Sequence, residues 1–448
     1  MKAFVNARIF DGQSESISGD TVIVVNDDGR IGAVGGDGLA IAGTWEVIDC
    51  HGCVVYPGLI DMHAHLNAAC LLLMIDNGVT TVRDVGSDLA SILELRRSIA
   101  AGTVRGPRIH CAGPMLDGEQ PMWPEASVPV TGREAAAAAV DQLADAGVDG
   151  IKAYMGISAP VLASIVEASH RRGLRVTAHL GAATCLDAAR AGIDSLEHAP
   201  QALYAGVVTP EQVLAWDKRR TLGQSRFWAR FYQGWALVNP GSPQVGKVLG
   251  ELCERGVALD PTLLVGRRMI DWALDPGALT GLASTVDVTI SQDWVKNADW
   301  FVAAWSRDET LTARHAEDVI AAVVAQFVKM GGTVVAGTDA PFSFLVPGVS
   351  LHQEMELLVR AGLSNGQALR AATGAAAKCL GWDADVGAIK PGAFADLVVC
   401  RGDPLRSITD SAKIAQVYKG GEPAEASGHN QEGLANRAPS SCHRHDSG

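Results

Sequence analysis

The chain lacks any run of the roughly 20 apolar residues that a membrane-spanning helix requires, so no membrane partner is expected. Its start, Met1-Lys2-Ala3-Phe4-Val5-Asn6, also lacks the apolar stretch and cleavage site of a secretory leader. Positive charge is scarce: 37 Lys and Arg stand against 50 Asp and Glu, a formal net charge of −13. Binding a polyphosphate draws on clustered cations, so no nucleic-acid partner is expected. The short basic run Lys218-Arg219-Arg220 reads as a solvated helix face. The nine cysteines are odd in number and follow no repeated spacing. A chain of this length needs no disulfide framework, and the expected location is a reducing cytoplasm. Cys50-His51-Gly52-Cys53 has the spacing of a redox or zinc pair, but no second pair lies near it, so it is given no functional role.

What is present is a large apolar reserve. Hydrophobic residues make up 48% and charged residues 19% of the 448, which excludes global disorder. The length exceeds the roughly 250 to 300 residues at which single cores stop growing, so two domains are expected. Residues 1 to 57 alternate short apolar runs, such as Thr21-Val22-Ile23-Val24-Val25, with Gly and Asp turns, the pattern of short antiparallel strands. From residue 58 to 380, apolar strands alternate with Ala- and Leu-rich helices such as Arg133 to Ala146, the signature of a parallel sheet.

Eight strands can be placed, at Leu59–His65, Thr80–Asp84, Arg108–Ala112, Gly150–Tyr154, Arg175–His179, Asp194–His198, Val257–Pro261 and Thr333–Asp339. The fold class is therefore α/β, a (β/α)8 TIM-type barrel. Strand character returns at 381–422, which should join residues 1–57 in a small β-sandwich domain built from both chain ends. Residues 423–448, with His443 and His445, read as a disordered tail without a role. Two long intervals, Ala199–Gly256 and Leu263–Gly332, hold Trp216, Trp228, Trp235, Trp272, Trp294, Trp300 and Trp305. Following strands six and seven, they should cover the C-terminal face and favour a large apolar substrate or a hydrophobic lid.

The chemistry-bearing residues close these strands. In Asp61-Met62-His63-Ala64-His65 two imidazoles at i and i+2 share one strand face, pointing into the barrel mouth as a metal pair. His179, His198 and Asp339 each end a separate strand, where barrel enzymes keep their catalytic groups. Lys152 sits inside a buried strand, where a bare ammonium costs several kcal/mol unless paired or neutralised. Either it snorkels to solvent or pairs with Asp149, or its amine has reacted with CO₂ to give an anionic carbamate ligand. Tyr154 and Tyr204 are the hydroxyls nearest in sequence to these groups, either oxyanion donors or packing residues. His110 is expected to be a hydrogen-bonded core histidine, and His170, His315 and His352 surface or packing residues.

These motifs, with Pro57-Gly58-Leu59-Ile60-Asp61-Met62-His63-Ala64-His65 and Lys390-Pro391-Gly392-Ala393-Phe394-Ala395-Asp396-Leu397-Val398-Val399, resemble the amidohydrolase superfamily. The likeness is to its prolidase-like and imidazolonepropionase-like members with a carboxylated lysine, and it covers nearly the whole chain. It implies two divalent ions, zinc foremost: His63, His65 and Asp339 on one, His179 and His198 on the other, with carboxylated Lys152 and a hydroxide between them. It also implies that Asp339 is the catalytic proton carrier, that the substrate is a small molecule with an amide, peptide or cyclic amide bond, and that a homo-oligomer would be unsurprising. Esters, lactones and phosphoesters remain alternative substrates, and a non-catalytic metal-binding barrel is an alternative class. The sequence departs from the prolidase-like pattern in two places. Ala112-Gly113-Pro114-Met115-Leu116-Asp117 replaces a Gly-Gly-His that contacts substrate, and Met155-Gly156-Ile157-Ser158 replaces a Thr-Gly-Gly turn. The substrate inference therefore does not transfer with the metal site.

Overall fold

The computed structural model describes residues 1–36, 38–208, 214 and 218–424. Of the tail expected at 423–448, Pro423 belongs to a strand and Ala424 is described, while the rest, with His443 and His445, lies outside the described residues, as does Trp216. Both chain ends enter one eight-stranded sheet. Its strands are β1 (Lys2–Phe10), β2 (Ile17–Val25), β3 (Ile31–Gly35), β4 (Glu46–Asp49) and β5 (Val54–Pro57) from the start of the chain. The barrel strands are β6 (Leu59–Ala64), β7 (Val79–Asp84), β8 (Arg108–Cys111), β9 (Met115–Asp117), β10 (Ser127–Pro129), β11 (Gly150–Ala153), β12 (Arg175–Ala178), β13 (Ser195–Glu197) and β14 (Ala258–Asp260). β15 (Leu397–Cys400), β16 (Ile414–Lys419) and β17 (Glu422–Pro423) complete the terminal sheet, β15 pairing antiparallel with β5. Phe4 on β1 and Tyr418 on β16 are three strands apart in sheet order, yet their rings meet at 4.8 Å. The sheet therefore curls over its own apolar core of Phe4, Ile23, Val55 and Leu397, giving a small β domain beside a TIM-type barrel.

The barrel ring is parallel throughout. β6, β7 and β8 form one sheet, and β9 and β11 to β14 belong to another. Backbone hydrogen bonds join the two, from Asp149 N to Cys111 O (2.8 Å) on one side and through residues 333–340 on the other. There Leu259 N donates to Thr333 O (2.9 Å), Val335 N to Leu259 O (3.0 Å) and Met62 N to Ala336 O (3.0 Å). The eighth strand is thus not the regular Thr333–Asp339 element expected; isolated bridges at Val334 and Ala340 stand in its place. Gly337 explains this, because a Cβ there would lie 2.2 Å from Asp260 Oδ2 and 2.7 Å from His63 N, and Asp339 follows in the left-handed region at φ 65°. The helices obey local rules. Arg133–Ala146 buries Ala136, Ala139, Val140 and Leu143 on one face and stops at Gly147, φ 88°. Cys185–Ala191 starts on a Thr184–Asp187 capping box. Among the described residues no helix is long and apolar enough to cross a membrane.

His352, on the helix Val349–Arg360, ties this helix to the segment preceding β16. Its Nε2 lies 3.0 Å from Asn77 O, an acceptor, so Nε2 carries the proton and Nδ1 accepts from Ser411 Oγ at 2.8 Å. Burial pushes its pKa down to about 4 from 6.5. With the folded value depressed, the stability due to the neutral ring is complete above pH 6.5 and is lost as pH falls towards 4. Urea unfolding at pH 7 and pH 5 should show the wild type losing about 1–2 kcal/mol more than His352→Gln. Parallel losses in the two proteins would contradict this.

Candidate metal centre

Four strand ends and the irregular eighth segment deliver His63, His65, Lys152, His179, His198 and Asp339 to one cavity. Asp339 Oδ1 lies 3.4 Å from His63 Nε2 and 3.1 Å from His65 Nε2, and the ligand atoms of these three residues fall within 4.8 Å of one another. The His198 ring centroid is 4.5 Å from that of His63 and 4.3 Å from that of His179. Lys152 is 1% exposed, and its Nζ has no hydrogen-bond partner. Pairing with Asp149 is excluded, because that carboxylate takes Arg96 Nη1 at 2.6 Å and Cys111 N at 3.0 Å.

Three of the imidazoles are held by their far nitrogens. His63 Nδ1 donates to Glu197 Oε2 at 2.6 Å and His65 Nδ1 to Gly86 O at 3.2 Å, which leaves each Nε2 lone pair available. His198 Nδ1 meets Thr262 Oγ1 at 2.6 Å. Such partners fix ring orientation in metal sites. Burial, aided by the Lys152 charge, pushes His63 down to about 4. Burial likewise carries His179 and His198 well below their ordinary values. In His65 burial is outweighed by Asp339, and the pKa rises. Asp339 is itself held below the usual carboxylate range because His63, His65 and His198 outweigh its burial. Burial lowers Lys152 to about 8 against the pull of Glu197. Imidazoles of which burial keeps His63, His179 and His198 neutral, an ionised carboxylate, a buried amine and a buried His179 Nε2 without a partner are a donor set that fits divalent cations.

Beneath these residues lies a buried charge cluster that sequence reasoning missed. Arg83 Nη2 donates to Glu197 Oε1 (2.6 Å) and lies 3.6 Å from Asp260 Oδ2, while Nε donates to Met62 O (2.6 Å) and Nη1 to Ser195 Oγ (3.0 Å). Thr177 Oγ1 also donates to Glu197. Although His63, Glu197 and Asp260 are grouped closely enough to hold an ion, the guanidinium already supplies the cation there. The available signal was a charged residue inside an apolar strand, as in Val82-Arg83 and Leu259-Asp260. Strict alternation hid Glu197 by placing it opposite His198, yet both contact His63. His198 adopts φ 56°, so the chain turns at the strand end; Thr262 (φ 44°) and Asp339 (φ 65°) do the same. Such left-handed positions, rare for β-branched Thr, cost on the order of 1–3 kcal/mol each and gather at functional sites. Asp61, pushed up to about 7 by burial, accepts from His63 N, Thr338 N and Thr338 Oγ1 and locks the first strand to the eighth segment. His110 is buried as expected but not hydrogen-bonded: both ring nitrogens lack a partner, and the ring lies 5.1 Å from Trp382.

The cavity holds about 370 Å³. Tyr154 lines it, its hydroxyl accepting from Trp123 Nε1 at 3.1 Å and its ring 4.9 Å from that of His179. Tyr204 does not line it. Of its two readings the structure matches packing, since the side chain is buried against Phe231 (4.4 Å) and Trp235 (6.5 Å), joining the helices Ala199–Val207 and Gln224–Ala236. Of the insertion tryptophans, Trp228, Trp294 and Trp300 reach the cavity, while Trp235 donates to Pro200 O and Trp272 to Asp299. Trp123, from the loop after β9, was not anticipated there.

Histidines, a lysine and an aspartate gathered at the C-terminal mouth of a (β/α)8 barrel, with a β domain from both chain ends, define a TIM-barrel hydrolase with a candidate metal centre. The chain belongs to the amidohydrolase family, whose model matches residues 54–424. Solved structures of the same fold include a bottromycin amidohydrolase, 23% identical, with a TM-score of 0.73 over 95% of this chain and 87% of that one. Another is a Xaa-Pro dipeptidase with bound methionine in its active site, 20% identical, with a TM-score of 0.70 over 95% of this chain and 99% of that one. A dihydroorotase of Mycobacterium tuberculosis is 50% identical over 48 residues, and this match spans 11% of each chain.

Proposed function

We propose that this protein hydrolyses a carbon–nitrogen bond, in an amide, peptide or cyclic amide, at a binuclear metal centre. The observation that carries the reading is the convergence of four imidazoles and Asp339 around a buried Lys152 Nζ that has no partner of its own. His63, His65 and Asp339 would hold one divalent ion and His179 and His198 the other, with carboxylated Lys152 shared between them and zinc the expected metal. When bound, such ions supply Lewis acidity, lowering the pKa of water and polarising a scissile carbonyl.

The protein's own groups do the rest. Lys152, with its pKa lowered to about 8, has neutral amine available to attack CO₂; the N–C bond forms as one C=O π bond opens onto oxygen, the nitrogen gives its proton to solvent water, and a carbamate anion results. Asp339, ionised and at the cavity floor, takes the proton released as water adds to the carbonyl and passes it to the departing amine. Tyr154, on the cavity wall, donates to the developing oxyanion. Glu197, Gly86 and Thr262 keep three imidazoles from swinging out of register.

The test is metal content and turnover of protein produced with zinc and bicarbonate, assayed on N-acyl amino acids, dipeptides, lactones and phosphotriesters. About two metals per chain with amide turnover is the expected result. The same metal content with only ester or phosphoester turnover would overturn the bond assignment. Protein without metal would instead support a non-catalytic barrel.

A further inference from the structure

The walls of the cavity specify what lies beside the scissile bond, on the hydrolytic reading given above. Among the described lining residues Lys152, on the floor, is the sole Lys or Arg. Nearer solvent the charged groups are Glu125 and Asp293, both exposed and both anionic. Lys296, 3.9 Å from Asp293, is 83% exposed and does not line the cavity. A carboxylate next to the scissile amide would therefore have to pass two acidic neighbours on its way in, and among the described lining residues no guanidinium or ammonium stands beside them to receive it. Like charges at the rim of a site work against the wrong partner.

The rest of the wall is aromatic and continuous. Ring centroids step from Trp123 to Trp300 at 6.0 Å, from Trp300 to Phe301 at 4.8 Å, and from Phe301 to Trp228 at 5.3 Å and to Phe342 at 5.7 Å. Trp300, part of this lining, keeps 37% of its surface exposed. Among the neutral polar groups that interrupt the wall, Gln201 has a buried Oε1 that accepts no hydrogen bond, so it is ready for an N–H donor. We infer that the substrate is an uncharged amide carrying a bulky aromatic or polycyclic apolar group, with no free carboxylate next to the scissile bond. The aromatic wall takes the apolar group, Gln201 takes an N–H, and Glu125 and Asp293 reject acids. By this reading the protein is not an exopeptidase that reads a free C-terminus.

The experiment compares naphthoylglycinamide with naphthoylglycine, which share the naphthoyl group and the scissile bond and differ only in a terminal carboxamide or carboxylate. Turnover by the holoenzyme is measured alongside calorimetric binding of the two ketone analogues in which a methylene replaces the scissile N–H. The carboxamide is expected to lead by at least about tenfold in kcat/KM and in affinity, and Glu125→Gln with Asp293→Asn should narrow both ratios. Equal or better handling of the carboxylate would overturn the inference while leaving the hydrolytic reading intact. A tenfold preference in binding without turnover of either compound would support the inference and overturn the hydrolytic reading. Neither binding nor turnover of the pair would overturn the inference.

Discussion

Asp339→Asn is expected to lower kcat by about two to four orders of magnitude while removing much less of the bound metal. Asparagine keeps the size of the side chain and a carbonyl oxygen to offer a cation, but it can neither take a proton nor carry the charge that the surrounding imidazoles stabilise. In the native site that charge is held strongly: His63 Nε2 and His65 Nε2 lie within 3.4 Å of Oδ1, and the carboxyl stays ionised despite its burial. Parallel measurement of kcat and of metal by mass spectrometry separates the two roles. Near-normal turnover, or a loss wholly explained by missing metal, would contradict the assignment of Asp339 as proton carrier.

Arg83→Met should be the most damaging single change to stability, costing about 3–5 kcal/mol in urea unfolding. The guanidinium bridges Met62 O, Ser195 Oγ and Glu197, with Asp260 at 3.6 Å, all within the barrel interior. Removing it leaves Glu197 as an uncompensated buried charge, although Thr177 and His63 still contact it. Glu197 is kept well below its ordinary pKa, against the penalty of burial, by Arg83, Lys152 and His63. Its ionised form therefore adds stability above pH 4.5 that is lost as pH falls. Arg83→Met combined with Glu197→Gln should recover part of the loss, since removing both charges avoids the orphan. A single-variant cost below about 1 kcal/mol, or a double variant no better than the single, would rule out this view of the cluster.

The barrel was legible because its strands are short apolar runs divided by helices with clear signals, such as the Ala-rich face of Arg133–Ala146 and the glycine that ends it. The residues with the strongest sequence signal, His63 and His65, stand two apart on a strand, and alternation alone points both inward. Lys152 was visible for a similar reason, since a lysine within Gly150-Ile151-Lys152-Ala153 has no solvent to reach. Glu197 was hidden by the same rule, because it precedes a histidine whose left-handed backbone breaks the alternation. Arg83 and Asp260 were overlooked because each reads as one polar interruption of an apolar strand; their pairing links β7 with β14, separated by most of the barrel sequence. For Tyr204 closeness in sequence to His198 left two readings open, and the helix that follows the strand end carries its ring into the layer between helices, as the packing reading has it. The irregular eighth strand follows from a steric demand at Gly337 that appears only once His63 and Asp260 are in place.

The central claim is that Lys152 completes a two-ion centre, and the direct measurement is metal per chain in wild type and Lys152→Ala, both produced with zinc and bicarbonate. The account predicts about two ions in the wild type and one or fewer in the variant, with hydrolysis lost alongside. Equal metal content and unchanged activity in Lys152→Ala would contradict it.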